Sequence, residues 1–189
     1  MKEQQKKYEL TGEFIEHWSG KKLYRIKALV SFGVVVAGQL GGFIESEKNL
    51  DQSLSGNAWV YGDARVYGDA EVSGNAWVYG DAEVSGNAWV SGNAWVYGDA
   101  RVYGDARVRS HAVISEHKMI FWASNVGSEN GTLTVFNGRD GLIVTRGCFT
   151  GTVDEFLAKS AEVHDDKTKN EYKLLIEVAK SRILGVKDE

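Results

Sequence analysis

Four histidines, one cysteine and regularly spaced aromatic, arginine and acidic residues are the groups in this chain that could do chemistry. A histidine serves as a general base when a substrate proton comes within hydrogen-bond reach. His111 and His117 are the candidates, because they lie close together where a long repeat ends; His17 stands apart, and His164, in "EVHDDK", is expected exposed at a helix end. Cys148, in "RGCFTG", could act as a nucleophile only beside a base, and reads as a small buried thiol. Asp63, Asp81 and Asp99 recur every 18 residues, as do Asn57, Asn75 and Asn93. An aspartate column could hold a cation, but a solvated corner screened by salt is the simpler reading. The sequence holds no Ser-His-Asp constellation, no glycine-rich phosphate loop with lysine and no cluster of metal ligands. No metal and no cofactor are therefore expected.

The elements that would position these groups follow from the repeat. "NAWVYGDA" begins at Asn57, Asn75 and Asn93, and shorter variants fill the gaps between. The underlying unit is a hexad: Gly, Asn or Asp, Ala, a variable residue, Val, then Tyr or Ser. Ala and Val stand two residues apart, so in a strand both point to one face while the variable residue points away. Gly followed by Asn or Asp supplies a bend, since these residues tolerate positive φ. A helix is excluded, because glycine in every unit wastes helix propensity and a period of six scatters the apolar residues. Strands that bend every six residues with one face inward build a solenoid. Its aliphatic column is expected from Leu54 to Ile114 and its alanine column from Ala58 to Ala112.

This pattern resembles the hexapeptide repeat of left-handed parallel β-helices, in which an aliphatic residue is followed four positions later by a small one, as Val60 and Ala64 are here. The resemblance implies a triangular coil of three hexads, about three and a half coils in all. It also implies a homotrimer with nearly parallel axes. Residues 18 apart then stack on one face. Trp59, Trp77 and Trp95 form an outward column beside Tyr61, Tyr79 and Tyr97. A second face stacks Arg65, Glu83 and Arg101 beside Tyr67, Ser85 and Tyr103; a third stacks Glu71, Trp89 and Arg107 beside Ser73, Ser91 and Arg109. Six large rings would form an apolar plate of several hundred Å², the size of an interaction surface. Three occupants stay open: a folded-back terminus, a second copy of the chain, or a planar ligand.

Both solenoid ends need caps. Residues 1–50 read as a β-rich cap and lead-in coil, with a hairpin turn at Ser19-Gly20 and Leu40, Ile44 and Leu50 in the core. Residues 51–116 are the β-helix. Residues 117–189 read as a small ββαα module with a hairpin turn at "NGRDG". In it Thr152 and Glu155 form a capping box, followed by a stripe of Val153, Phe156, Leu157 and Val163. A second helix runs from about Asn170 to Leu184. The ends, "YELTGE…GQLGGFIESEKNL" and "NVGSENGTLTVFNGRDG…SRI", resemble those of hexapeptide-repeat proteins of bacteriophages, prophages and gut bacteria.

Composition narrows the function. With 43% hydrophobic and 25% charged residues the chain is ordinary for a soluble domain. A net charge of −4 without a basic run argues against a nucleic acid duplex or an anionic membrane as partner. No stretch has the ~18 apolar residues of a membrane span, and "MKEQQKKYEL" has no apolar signal core. A single cysteine fits a reducing cytoplasm. The expectation is a non-catalytic, phage- or prophage-encoded binding protein that sequesters a small nucleotide-like signal or blocks a host protein. Trp59, Trp77, Trp95, Tyr61, Tyr79 and Tyr97 would form the subunit interface. Arg65, Arg101, Arg107, Arg109, Tyr67, Tyr103 and Trp89 would bind the ligand. The alternatives are an acyl-CoA-dependent acyltransferase, which the resemblance implies with His111 or His117 as base, and a structural spike.

Overall fold

The computed structural model describes residues 5–185; the outermost residues of the two flanking regions, 1–4 and 186–189, lie outside it. Three strands open the chain: β1 (Tyr8–Glu16), β2 (Lys22–Ala28) and β3 (Leu40–Ile44). Ten two-residue strands follow: β4 (Trp59–Val60), β5 (Arg65–Val66), β6 (Glu71–Val72), β7 (Trp77–Val78), β8 (Glu83–Val84), β9 (Trp89–Val90), β10 (Trp95–Val96), β11 (Arg101–Val102), β12 (Arg107–Val108) and β13 (Val113–Ile114). They form a β-solenoid with parallel pairing between coils. The inward Ala and Val columns, from Ala58 to Ile114, are almost completely buried. The strands up to β10 donate to the next coil, as in Trp59 N–H to the Ala76 carbonyl (3.0 Å) and Trp77 N–H to that of Ala94 (2.8 Å). The corner glycines from Gly62 to Gly104 hold φ between 60° and 72°.

The first coil departs from the repeat. Leu54, expected in the aliphatic column, is 49% exposed. Leu50 takes its place, bridging to Val72. Phe43 and Ile44 of β3 likewise pair with Arg65 and Val66. Both spacings are 22 residues rather than 18, so four residues are inserted around Leu54 and loop outward. Four coils result, the first built from β3, Leu50 and β4. Leu40, expected in the core, is also half-exposed; glycines face inward beside it. A Cβ on Gly41 would lie 2.5 Å from Ile26 Cγ1, and one on Gly42 2.7 Å from Val60 Cγ1. At these two positions of β3 no side chain fits.

The N-terminal hairpin caps this end by extending a sheet. β1 and β2 pair antiparallel, β2 pairs with β3, and β3 joins the parallel stack, giving the order β1-β2-β3-β5-β8-β11. Tyr8 inserts beneath the first coil, its hydroxyl donating to the Leu50 carbonyl at 2.6 Å. Lys7 is fully buried and donates to the Ala58 carbonyl (3.2 Å). Burial pulls its pKa below the usual lysine value.

The other end is covered by an antiparallel meander, β14 (Ile120–Val126), β15 (Gly131–Gly138), β16 (Gly141–Arg146) and β17 (Phe149–Thr152). The run "GLIVTRGCFTG" divides into β16 and β17 at Gly147, whose φ is 56°. Phe136 and Ile143 join the solenoid core, whereas Leu133, Val135 and Val144 face the helices α1 (Val153–Val163) and α2 (Asp166–Leu184). Thr134 accepts from the Arg107 N–H (3.0 Å) and Thr145 donates to the Arg107 carbonyl (2.6 Å), so β12 is paired by threonine hydroxyls. Thr152 and Glu155 cap α1 reciprocally. Val163, expected in its apolar stripe, is exposed in the last turn. Asp165 accepts from the Thr168 N–H and starts α2 four residues earlier than the apolar pattern indicates. Among the described residues, no helix is long and apolar enough to cross a membrane.

The corner geometry gives a direct test. A Cβ on Gly86, at φ 67°, would sit 2.8 Å from the Gly104 nitrogen. Gly86→Ala should cost about 1–3 kcal/mol in urea unfolding. Gly12→Ala, with open space around the new methyl, should change stability by less than about 1 kcal/mol.

Candidate functional site

The solenoid interior is filled by Ala and Val, so every group available for binding lies outside. On the face carrying β4, β7, β10 and β13 the tryptophans are not equivalent. Trp59 is fully buried, with the rings of Phe32 and Tyr8 edge-on at 5.4 and 6.3 Å. Expected as an interface residue, it is a core residue here, because the cap folds over the first coil. Trp77 is half-buried and Trp95 is 49% exposed. Tyr61 is half-exposed, and Tyr79 and Tyr97 stack at 4.9 Å with planes 3° apart. Val34, from the loop between β2 and β3, joins Tyr61, Trp77, Tyr79 and Trp95 around an apolar cleft of about 400 Å³. Along its edge runs an amide ladder. Asn75 donates to Asn93 at 3.1 Å, and Asn93 lies 3.4 Å from His111 Nε2.

The second face forms a different site. Arg65, Glu83 and Arg101 are register partners, yet no ion pair joins them among the described residues. Tyr67 donates to Glu83 instead. Burial, reinforced by this hydrogen bond, pushes the Tyr67 hydroxyl up to about 12. Tyr67, Arg101 and Tyr103 line a groove of about 550 Å³ together with Glu83, Ser85, His117, Trp122 and Arg182. Trp122 leans over the corner at Gly104 and meets the Tyr103 ring edge-on, centroids 4.5 Å apart. Arg65, expected to bind ligand, is outside the lining; its Nε is buried without an acceptor among the described residues. Arg107, Arg109 and Trp89, expected in the same role, belong to the third face. There the Arg107 guanidinium covers the Trp89 ring at 4.6 Å. The sequence reading placed Glu83 on this face without a ligand role, and Trp122 and Arg182 escaped it. Arg182 reaches the groove only through the docking of α2, which no local spacing encodes.

A family described as "YdcK Beta solenoid repeat" matches residues 64–80, 82–98 and 94–116. No curated protein sequence matches the chain. The chain is a repeat β-solenoid protein. The matched segments all lie within the coils, so the site residues supplied by the flanks of the solenoid fall outside them.

The histidines of this solenoid protein are dispersed. His111 lines clefts with Arg139, and His117 lines the second-face groove. Neither has a carboxylate hydrogen-bond partner among the described residues. His17 is buried against Tyr67 (4.5 Å between rings), with Nδ1 2.7 Å from Ser19 Oγ. His164, expected exposed, is half-buried against Tyr172, because it is the C-cap of α1 at the junction with α2. Cys148, expected buried, is exposed in the turn between β16 and β17. Among the described residues no three His, Cys, Asp or Glu side chains group closely enough to hold a metal. Asp63, Asp81 and Asp99 are exposed corners.

Glu45 fastens the cap to the groove's upper rim. It accepts from Lys21 (2.8 Å) and from the Gly68 N–H (2.7 Å). Partial burial works against its charge, but these two partners outweigh it and hold its pKa below the usual glutamate value. A depressed pKa contributes stability above the unfolded value of ~4.3, lost as pH falls through the folded one. Glu45→Gln should therefore cost about 1 kcal/mol at pH 7. The difference from wild type, read by urea unfolding, should shrink as pH is lowered below about 4.

Proposed function

We propose that this solenoid is a non-catalytic binding protein that works as a homotrimer assembled through its aromatic face. The observation that carries this reading is the uncovered strip of Tyr61, Trp77, Tyr79 and Trp95 beside Val34. Apolar surface spread over successive coils, about 4.8 Å apart, is costly to leave in water. The strip has no charge with which to select an oppositely charged foreign partner, so a second copy bringing the same rings is its occupant. A rotationally closed ring of copies covers every strip and leaves none to propagate a filament. The phage or prophage setting, and with it the neutralising of a host factor, is supported by the resemblance of the two ends.

Acyl transfer has weaker support. His111 and His117 open onto separate clefts, and among the described residues neither has the orienting carboxylate that a general base uses. A purely structural spike leaves the unequal faces without a role.

Trp95→Ser combined with Tyr61→Ser should lower the mass in light scattering from three chains to one. Both side chains are half-exposed in the single chain, so far-UV circular dichroism should be unchanged. A wild-type monomer, or a variant that keeps its assembled mass, overturns the reading.

A further inference from the structure

The groove on the second face has a chemistry of its own. Its floor is the sheet of β5, β8 and β11, and its wall is β14 and the end of α2. Arg101 and Arg182 both line it, both are exposed, and neither lies within 4.0 Å of a carboxylate among the described residues. Some surface cations elsewhere are paired, as Arg25 is with Glu13 and Lys48 with Asp69, and others, such as Arg139 and Lys173, have no carboxylate partner among the described residues; what sets Arg101 and Arg182 apart is that one groove holds both. The one carboxylate in the lining, Glu83, is already held by the Tyr67 hydroxyl. The local balance is thus positive in a chain of net charge −4. Unpaired guanidinium groups beside aromatic rings recognise anions attached to planar groups: they bond anionic oxygens in pairs, and the rings supply stacking surface.

The aromatic half is equally specific. Tyr103 is 52% exposed and stands nearly perpendicular to Trp122, at 87°. Two rings at right angles leave a corner in which a third planar ring stacks on one face and meets the edge of the other. Glu83 keeps acceptor capacity beyond its bond from Tyr67, which favours a ring bearing N–H donors over a bare hydrocarbon ring. A volume of about 550 Å³ lies within the range of small-molecule sites.

We infer that this groove binds a small planar, N–H-bearing ring joined to an anionic group, with the ring in the Tyr103–Trp122 corner and the anion on Arg101 and Arg182. Glu83 accepts from the ring. Nucleoside monophosphates and aminoaryl carboxylates share this chemistry. The site lies on a different face from the aromatic strip, so binding here and trimer assembly stand or fall separately.

The test is titration calorimetry on the full-length protein at low salt. The probes are AMP, GMP, CMP, UMP and 4-aminobenzoate; inorganic phosphate and adenosine serve as the isolated halves. At least one ring-bearing anion should bind with a Kd below about 1 mM, and at least tenfold more tightly than either half. A nucleotide among the binders names a phosphate ligand, and 4-aminobenzoate alone names a carboxylate. Arg101→Gln and Arg182→Gln should each weaken binding about tenfold and flatten its salt dependence. Tyr103→Leu should weaken it without changing that dependence. All three side chains are exposed, and an unchanged thermal melt shows that the fold is kept. Binding by none of the five ring-bearing probes, binding indifferent to both arginine variants, or phosphate binding as tightly as the best of them overturns the inference.

Discussion

The coils close at corners whose backbone takes a left-handed conformation that L side chains avoid, held by glycine from Gly62 to Gly104 and by Ser110 (φ 60°) at the last, and the rest of the molecule depends on that closure. With the corners fixed, residues 18 apart are held in register by backbone hydrogen bonds from one coil to the next. The interior then takes one Ala and one Val per side in the middle coils, and larger aliphatics, Ile44, Leu50 and Ile114, sit only in the first and last coils. The sequence inside is therefore nearly invariant from coil to coil. Variation is confined to the outward position between Ala and Val, the residue after Val and the Asn or Asp of the corner. Specific function in this fold has to be written at those outward positions or in the segments that cover the ends.

The two ends solve the exposed-edge problem differently. At the N-terminal end β3 joins the parallel stack directly, and Gly41 and Gly42 let its backbone lie against the coil beneath. The hairpin of β1 and β2 then prolongs the same sheet, ending its parallel run with antiparallel neighbours. At the C-terminal end the last coil is met by side chains: Thr134, Asn137 and Thr145 supply hydrogen bonds to β12 and β13. Threonine and asparagine do here what a further strand would do, and the meander is free to run in another direction. That change of direction brings Trp122 and α2 beside the second face.

The repeat was legible from sequence because a translational constraint repeats its own signature. Ala58 to Ala112 and Val60 to Ile114 all occupy the interior their spacing implies, and Gly62 to Gly104 form the corners. The residues that departed from expectation are those whose environment is set by a flank. Leu54 satisfies the hexad spacing, but Leu50 reaches the same slot first because β3 fixes where the first coil begins. Trp59 is chemically identical to Trp77 and Trp95 in its repeat; only the folding back of Tyr8 and Phe32 separates it from them. Cys148 read as buried because a free cysteine behaves as a small apolar side chain, yet it sits in a tight turn at Gly147. Of the expected ligand residues, Tyr67, Arg101 and Tyr103 share one groove, whereas Arg107, Arg109 and Trp89 point from another face. Their face assignments were readable from the period; which face would be walled into a concavity was not.

A straight stack of identical coils makes ladders, and ladders are flat. A concave site needs an element that leaves the repeat and stands beside it, as β14 and α2 do. Charge follows the same logic. In an uninterrupted stack Glu83 lies between Arg65 and Arg101 and could neutralise either. Tyr67 takes that carboxylate by hydrogen bond, and no other acid among the lining residues replaces it. The loss of one lateral ion pair costs little, since exposed pairs contribute at most about 1 kcal/mol. It leaves Arg101 unsatisfied where the wall contributes a second unpaired arginine and an aromatic corner. The repeat therefore provides rigidity and register, and the site arises where a tyrosine hydroxyl interrupts its charge pattern and a flanking element interrupts its flatness.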